Sequence, residues 1–181
     1  RATYSYKDRY FAEFNMGYNG SENFAPGHRF GFFPALAVGY MISNEPWWES
    51  ISDVINLFKI KASYGKVGND QIGGSRRFAY NTTINENAPG AAWGTTPATG
   101  TGYATIGGIT TDEEGNAFVE WEEATKANAG FELGLFNDFT LHADIFQDYR
   151  DGIFLMRQST PSAVGLQKDQ YVNIGEMVNR G

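Results

Sequence analysis

The sequence contains no cysteine, has only two histidines, and has no apolar run long enough to cross a membrane as a helix. Its 181 residues include 14 Lys and Arg against 21 Asp and Glu, a formal net charge of −7. Without cysteine there are no disulfides and no thiolate metal sites, and His28 and His142 alone make a weak case for a metal centre. An acidic chain also lacks the basic footprint of a nucleic-acid binder, so no nucleic acid is expected as a partner.

Glycine and aromatic residues are abundant, and apolar and polar residues alternate with a period of two. In the segment 10–19, five residues of one parity are Tyr10, Ala12, Phe14, Met16 and Tyr18, and the other parity is mostly polar. The alternation returns over 29–43, 57–66, 121–135 and 139–149, with weaker versions at 2–6 and 172–174. Such a period is typical of β-strands with two different faces.

The connections between these strands differ in length in a regular way. Residues 7–9 and 136–138 are predicted to be tight turns, and 44–56 has room for a short helix with Pro46 near its start. Residues 20–31, 67–119 and 152–170 are longer, and a loop as long as 67–119 is expected to be functional. In an up-and-down meander, this alternation places all the long loops at one end of the sheet.

Two architectures fit the alternation, a soluble sandwich or barrel and a transmembrane β-barrel. Aromatic residues lie near both ends of the apolar face, such as Tyr10 and Tyr18. They favour the transmembrane β-barrel, because such barrels carry a girdle of aromatic residues at each membrane interface. The distance between these two is about 27 Å at 3.4 Å per residue, near the height of an apolar band. Charged mid-strand residues on the polar face suit a wet lumen.

About seven strands cannot close a barrel that spans a membrane. Two open edges in lipid would leave unpaired backbone groups, each costing several kcal/mol. The pattern also starts abruptly at Arg1. We therefore expect an all-β, antiparallel up-and-down transmembrane segment of a larger barrel, with 1–181 as a partial barrel.

Four segments resemble the SusC/RagA family of TonB-dependent outer-membrane transporters, in the family's order. They are YSYKDRYFAEFNMGYNGSENFAPGHRFGFFPALAVGYMISNEPWW, LFKIKASYGKVGND, VEWEEATKANAGFELGLFND and NIGEMVNRG. The resemblance implies a plugged barrel of about 22 strands in the bacterial outer membrane, of which this chain is part of the C-terminal barrel. It implies import of oligosaccharides or peptides, driven through TonB, beneath a SusD-like surface lipoprotein acting as a lid. The plug and the segment that contacts TonB are absent from the chain, and 67–119 becomes a long extracellular loop.

The membrane hypothesis assigns each face of the sheet. The candidate lipid-facing residues, in contact with outer-membrane lipid, are Phe14, Met16, Leu36, Val38, Ile60, Leu133 and Ile145. The candidate lumen-facing residues are Glu13, Asn15, Lys59, Lys61, Glu132, His142 and Asp144. The candidate interface aromatics are Tyr10, Tyr18, Trp47, Trp48 and Tyr64. In the long loop, Tyr80, Trp93 and Tyr103 are candidates for contact with cargo or lid, since functional residues favour loops.

No constellation points to catalysis or to a bound cofactor. GNDQIGGS, from Gly68, lacks the lysine of a phosphate loop, and GTGYAT, from Gly100, lacks the third glycine of a dinucleotide fingerprint. Glu122 and Glu123 should point to opposite faces of a strand, so they do not form a glycosidase pair. We therefore expect no enzyme, no metal and no cofactor. The alternatives are a soluble β-sandwich carbohydrate-binding module and, with less support, a β-rich hydrolase.

Overall fold

The computed structural model describes residues 1–73, 77–93, 104–157 and 170–181. In these residues, seven strands form one antiparallel sheet and two strands form a second, smaller sheet. The strands are β1 (Ala2–Tyr6), β2 (Tyr10–Gly20), β3 (Phe30–Met41), β4 (Ile55–Asn69), β5 (Thr83–Trp93), β6 (Ala104–Glu113), β7 (Glu122–Leu135), β8 (Phe139–Met156) and β9 (Tyr171–Arg180). The large sheet has the order β1-β2-β3-β4-β7-β8-β9, and β5 pairs with β6.

The large sheet is the up-and-down meander that the alternation predicts. Phe14 pairs with Leu36, and Leu36 pairs with Tyr64, so these three side chains share a face. Within the described residues, β1 and β9 form two open edges. The all-β, antiparallel up-and-down prediction is therefore confirmed.

Two turns at one end of the sheet have the backbone that hairpins favour. Lys7 and Asp8 both have φ of 52°, and Phe136 and Asn137 have φ of 54° and 63°. Positive φ at both central residues matches the right-handed twist of the flanking strands. The predicted turns at 7–9 and 136–138 are therefore confirmed.

The third short connection, 42–54, contains two 3-10 helices, Ile42–Asn44 and Pro46–Ile51. Pro46 is at the start of the second, where its missing N–H costs nothing. This confirms a short helix in the segment. We call this end of the sheet, with connections 7–9, 42–54 and 136–138, the short-turn end.

The other end carries the connections 21–29, 70–121 and 157–170, and we call it the long-connection end. The segment 67–119 begins inside β4 and contains the β5–β6 hairpin. The prediction that a connection starts at residue 152 is wrong, because β8 continues to Met156. Gly152 adopts φ of 69° within a register shift, which lets the strand bend and continue.

The buried hydrophobic cluster of the described residues lies at the long-connection end. It consists of Phe24, Ile72, Val119 and Phe154, and we call these four residues the loop core. Three of them belong to connections, so the core lies beside the sheet's end and not behind its middle. In the described part of the chain, no helix is long and apolar enough to span a membrane.

Candidate functional site

One face of the large sheet carries charged side chains at mid-strand. Lys59 pairs with Glu132, and Glu132 pairs with His142, in one row across β4, β7 and β8. Lys61 and Asp144 lie in the adjacent row, on either side of β7. Directly opposed residues of antiparallel strands share a face, so all five lie together on what we call the polar face.

Lys61 is the centre of an ion-pair cluster on the polar face. Its Nζ lies 3.2 Å from Glu132 Oε1 and 3.3 Å from Asp144 Oδ1. Lys59 Nζ is 3.9 Å from the other oxygen of Glu132. Gly130 stands in the row between Lys61 and Asp144, and its missing side chain leaves the space that Asp144 occupies. Positive and negative groups therefore neutralise each other along this part of the wall.

A second polar group lies nearer the β1 edge. Arg1 Nη2 donates to Glu13 Oε2 at 2.7 Å, and Asn15 Nδ2 donates to Glu13 Oε1 at 2.6 Å. Glu13 pairs with Ala37, and Ala37 pairs with Ser63, two residues from Lys61 on the same strand. The structure therefore places all seven candidate lumen-facing residues on one face, although it brings only Lys59, Lys61, Glu132 and Asp144 into one cluster.

Sequence reasoning missed a third charged group, toward the long-connection end of the polar face. Lys126 Nζ lies 3.4 Å from Asp148 Oδ2, and Arg150 Nε lies 3.8 Å from Asp148 Oδ1. Arg150 Nη1 also lies 3.7 Å from Glu122 Oε1. Every second residue of β7 and β8 lies on the same face as Glu132 and Asp144, and continuing this count toward the long-connection end leads to these four residues.

The acidic stretch before and at the start of β7 is divided among three places. Glu120 lies 2.8 Å from His28 Nδ1. Glu123 lies 2.6 Å from Lys66 Nζ, on the face opposite to Glu122. The carboxylates therefore do not converge on one point, which confirms the expected separation of Glu122 and Glu123 and provides no acid–base pair.

The described ranges contain no group of three or more histidine, cysteine, aspartate or glutamate residues arranged to hold a metal ion. His28 is engaged by Glu120, and His142 lies in the Glu132 row of the polar face.

The opposite face of the sheet is apolar and largely exposed. Val38 pairs with Ala62, Ala62 with Ala129, and Ala129 with Ile145, so one row crosses four strands. Ile145 is 70% exposed, which is unusual for a large aliphatic side chain in a soluble sheet. All seven candidate lipid-facing residues share this face, namely Phe14, Met16, Leu36, Val38, Ile60, Leu133 and Ile145. Leu133 is half-buried, whereas the other six are exposed.

Aromatic residues lie near both ends of the apolar face. At the short-turn end, Tyr10 stacks on Tyr40 with ring centroids 4.8 Å apart, and both hydroxyls donate to Glu45 Oε1. At the other end, Tyr18 stacks on Phe30 at 5.2 Å. Tyr64 is different, because its register aligns it with Phe14 and Leu36. It therefore shares a row with candidate lipid-facing residues.

The two neighbouring tryptophans have different environments. Trp48 is 8% exposed, stacks on Phe58 at 5.7 Å, and donates from Nε1 to the carbonyl oxygen of Ile55. Trp47 is 61% exposed and meets Trp48 edge to face. Only Trp47 therefore presents its ring to the surroundings, and Trp48 fastens the 3-10 helix onto β4.

At the long-connection end, the loop core is reinforced by hydrogen bonds between connections. The Trp121 ring packs against Phe24 and Phe33, and its Nε1 donates to the carbonyl of Arg29 at 3.1 Å. Asn116 Nδ2 donates to the carbonyl of Tyr171 at 3.1 Å. Loops that are far apart in sequence therefore form one ordered platform above the strands.

Of the three candidate contact aromatics of the long loop, one is fully described. Tyr80 is half-buried and packs edge to face on Phe78, with centroids 6.2 Å apart. Trp93 is the last residue of β5, and its side chain lies outside the description. Tyr103 lies outside the described residues. The predicted contacts at Trp93 and Tyr103 therefore lie outside the described residues.

The fold and its two unlike faces define a wall segment of a bacterial outer-membrane β-barrel. All 181 residues match the family model described as TonB dependent receptor-like, beta-barrel. The chain belongs to this TonB-dependent receptor family, and its place is in the outer membrane.

The chain is similar to several curated receptors over its whole length. It is 31% identical to the TonB-dependent receptor P39 of Formosa agariphila and covers 16% of that protein. It is 29% identical to the TonB-dependent receptor SusC of Bacteroides thetaiotaomicron and covers 17% of it. The chain thus spans about one sixth of the length of these relatives.

Solved structures of the RagAB peptide importer share the fold. The closed-closed state matches with a TM-score of 0.74 and 21% identity, over 98% of this chain and 18% of that one. The open-open state matches with the same TM-score and 22% identity. The likeness to SusC and to the RagAB structures confirms the resemblance identified from the sequence.

Proposed function

We propose that the protein containing this chain imports nutrient oligomers, either oligosaccharides or peptides, across the bacterial outer membrane. Energy reaches it through TonB, by a segment outside this chain, and a SusD-like surface lipoprotein covers its outer mouth. Membership of the TonB-dependent receptor family supports this function, as does the similarity to SusC. The likeness of the fold to that of the RagAB peptide importer keeps peptides among the candidate cargo.

The observation that carries the proposal is the contrast between the two faces of one sheet. The polar face holds an ion-pair cluster centred on Lys61, and the apolar face exposes large side chains such as Met16 and Ile145. In the wall of a transmembrane barrel, apolar residues face outward and polar residues face inward. We assign the apolar face to lipid and the polar face to the lumen.

The soluble carbohydrate-binding module is supported less well. A β-sandwich buries the apolar face of each sheet against a second sheet about 10 Å away. Here the small β5–β6 sheet belongs to the long connection, and Val38 and Leu36 remain about half exposed. A soluble domain with this much uncovered apolar surface would aggregate.

The proposed activity is passage without covalent chemistry. On the polar face, the carboxylates of Glu132 and Asp144 lie 3.2 and 3.3 Å from Lys61 Nζ. A general acid or base needs a carboxyl group that can reach substrate, so these two are better suited to keeping the wall neutral.

The full-length receptor, in its native outer membrane, provides the test. Uptake of fluorescent oligosaccharides and of fluorescent oligopeptides would be compared in wild-type cells, in cells lacking the receptor, and in cells lacking TonB. We expect uptake of one cargo class to depend on both proteins. Uptake of both classes independent of the receptor, or a receptor recovered without detergent, would contradict the proposal.

A further inference from the structure

A groove crosses β2, β3 and β4 on the apolar face, near the short-turn end. Its volume is about 430 Å³, within the range of sites that hold small molecules. The residues of the apolar face that line it are Tyr10, Val38, Tyr40, Ile60 and Ala62. In the sheet, β3 already pairs with β2 on one side and with β4 on the other. The strands of a larger barrel would therefore join the wall away from the groove and leave it open to the outside.

The low part of the groove is formed by Ala62. This residue lies between Val38 and Ala129 in one row, and Tyr40 pairs with Ile60 in the next row on the same face. A single methyl group among larger side chains leaves a depression, and the lining is almost wholly apolar. A flexible hydrocarbon chain suits such a depression, because it needs no hydrogen bonds from the wall.

An ion pair lies at one end of the groove. The hydroxyls of Tyr10 and Tyr40 donate to Glu45 Oε1 at 3.1 and 3.0 Å. Arg9 Nη1 donates to Glu45 Oε2 at 3.1 Å. A guanidinium has five N–H donors, and this contact uses one of its nitrogens. The two tyrosines thus connect the apolar lining to a cation that can bind a further oxygen ligand.

The turn between β1 and β2 adds a second cation on the same side of the sheet. Lys7 Nζ lies 5.3 Å from the centroid of the Tyr6 ring, and the register with β2 places Tyr6 on the apolar face. The neighbouring Asp8 is exposed. Lys7 and Arg9 are therefore balanced by Asp8 and Glu45. A group of charges with no net charge complements a ligand that carries both a phosphate and an ammonium group.

Short turns of bacterial outer-membrane barrels lie on the periplasmic side, where the lipids of the membrane are phospholipids. We propose that the groove is a binding site for one zwitterionic phospholipid of this leaflet. An acyl chain lies over Ala62, the phosphate accepts hydrogen bonds from Lys7 and Arg9, and the ammonium group lies near Asp8. The inference rests on the proposed function only through the assignment of the apolar face to lipid. It adds a lipid held at a fixed place on the wall.

Filling the groove tests the acyl-chain contact. The full-length receptor would be extracted in detergent, and its retained lipids would be counted by native mass spectrometry. Ala62→Phe places a ring in the depression, whereas Ala129→Phe places the same ring at the register partner, which does not line the groove. We expect the wild type and Ala129→Phe to retain one phospholipid and Ala62→Phe to lose it. Equal retention in all three, or none in the wild type, would overturn the proposal.

The headgroup contact is tested on the same receptor after its lipid has been removed. Binding of dioleoyl phosphatidylethanolamine would be compared with binding of dioleoyl phosphatidylglycerol, which has the same chains and a net negative charge. We expect tighter binding of the zwitterionic lipid, and about tenfold weaker binding to Lys7→Gln, since one charge-assisted hydrogen bond is lost. Lys126→Gln, on the polar face, is the control and should bind as the wild type does.

The outcomes separate the lipid site from the proposed function. A preference for phosphatidylglycerol, or equal affinity in Lys7→Gln and the wild type, would refute the site while leaving the importer intact. A receptor that stays folded in water without detergent would refute the assignment of the apolar face to lipid, and with it both proposals.

Discussion

Asp144 on β8 reaches across β7 to lie 3.3 Å from Lys61 on β4. The residue between them in the row is Gly130. The strand between them presents no side chain at this position, and a Cβ added there would collide with the Asp144 carboxylate. A position without a side chain thus organises the ion pairs of the polar face.

Gly130→Ala should break this contact. The added Cβ would collide with the Asp144 carboxylate and would lie 2.7 Å from the carbonyl oxygen of Ala143. We expect the free energy of unfolding to fall by about 1–3 kcal/mol, as for other overpacked sites. Urea unfolding of the full-length barrel in lipid measures it. Gly107→Ala is the control, because its Cβ would meet nothing within 4 Å. Equal effects in the two variants would contradict the mechanism.

The assignment of the two faces predicts opposite results at adjacent positions of β3. Val38→Arg places a charge on the apolar face and should cost about 2–4 kcal/mol if it lies near the membrane midplane. Ala37→Arg enters the polar face beside Glu13, its partner in the register, and should be tolerated. The two variants are compared by their assembly in the outer membrane, which is measured from the change in gel migration of the folded barrel on heating. If Ala37→Arg abolished assembly and Val38→Arg did not, the faces would be reversed.

The adjacent tryptophans should differ in their contribution to stability. Trp48→Ala removes a buried ring from Phe58 and a hydrogen bond to Ile55, and should lower the free energy of unfolding by about 3 kcal/mol. Trp47→Ala removes an exposed ring and should cost less than about 1 kcal/mol. Intrinsic fluorescence during urea titration reports both. A larger loss at Trp47 would mean that anchoring in the lipid interface outweighs packing on β4.

Substitutions at Gly152 are expected to destabilise the protein when the new residue disfavours a positive φ. Its φ of 69° is in the left-handed region, where alanine costs roughly 1–2 kcal/mol. Gly152→Ala should therefore destabilise β8 and its pairing with β9, measured by hydrogen exchange of the β9 amides. Gly152→Asn should do so less, because asparagine tolerates this conformation. Equal protection in the wild type and both variants would show that the bend does not need glycine.

The strands of the wall could be predicted because their two faces differ in polarity. In β2, every second residue from Tyr10 to Tyr18 is apolar or small, and this period survives in the structure. In β5 and β6 this signal fails, because Pro89 and Gly90 lie inside β5 without adding to an apolar and polar alternation, and register shifts break the period. A hairpin whose faces are both exposed has no reason to alternate.

For the candidate site, the sequence predicts which face of the sheet each residue occupies, but not which residues are in contact. Parity places Lys61 and Glu132 on one face, but their 3.2 Å contact depends on the register between β4 and β7, which the intervening connection hides. The burial of Trp48 was equally hidden, because it depends on how the 3-10 helix folds back over Phe58. Local pattern determines which way a side chain faces, whereas its partners depend on tertiary pairing.

The location of the loop core has a consequence for the order of folding. Phe24 precedes β3 and Phe154 lies near the end of β8, so β3, β4 and β7 must be aligned with β8 before the two rings can pack. Contacts between residues so distant in sequence form slowly, because a long chain segment must be closed before they give any stability. We therefore expect the core to consolidate last, after the strands have paired. Once formed, it stabilises the strand pairing of the newly assembled wall.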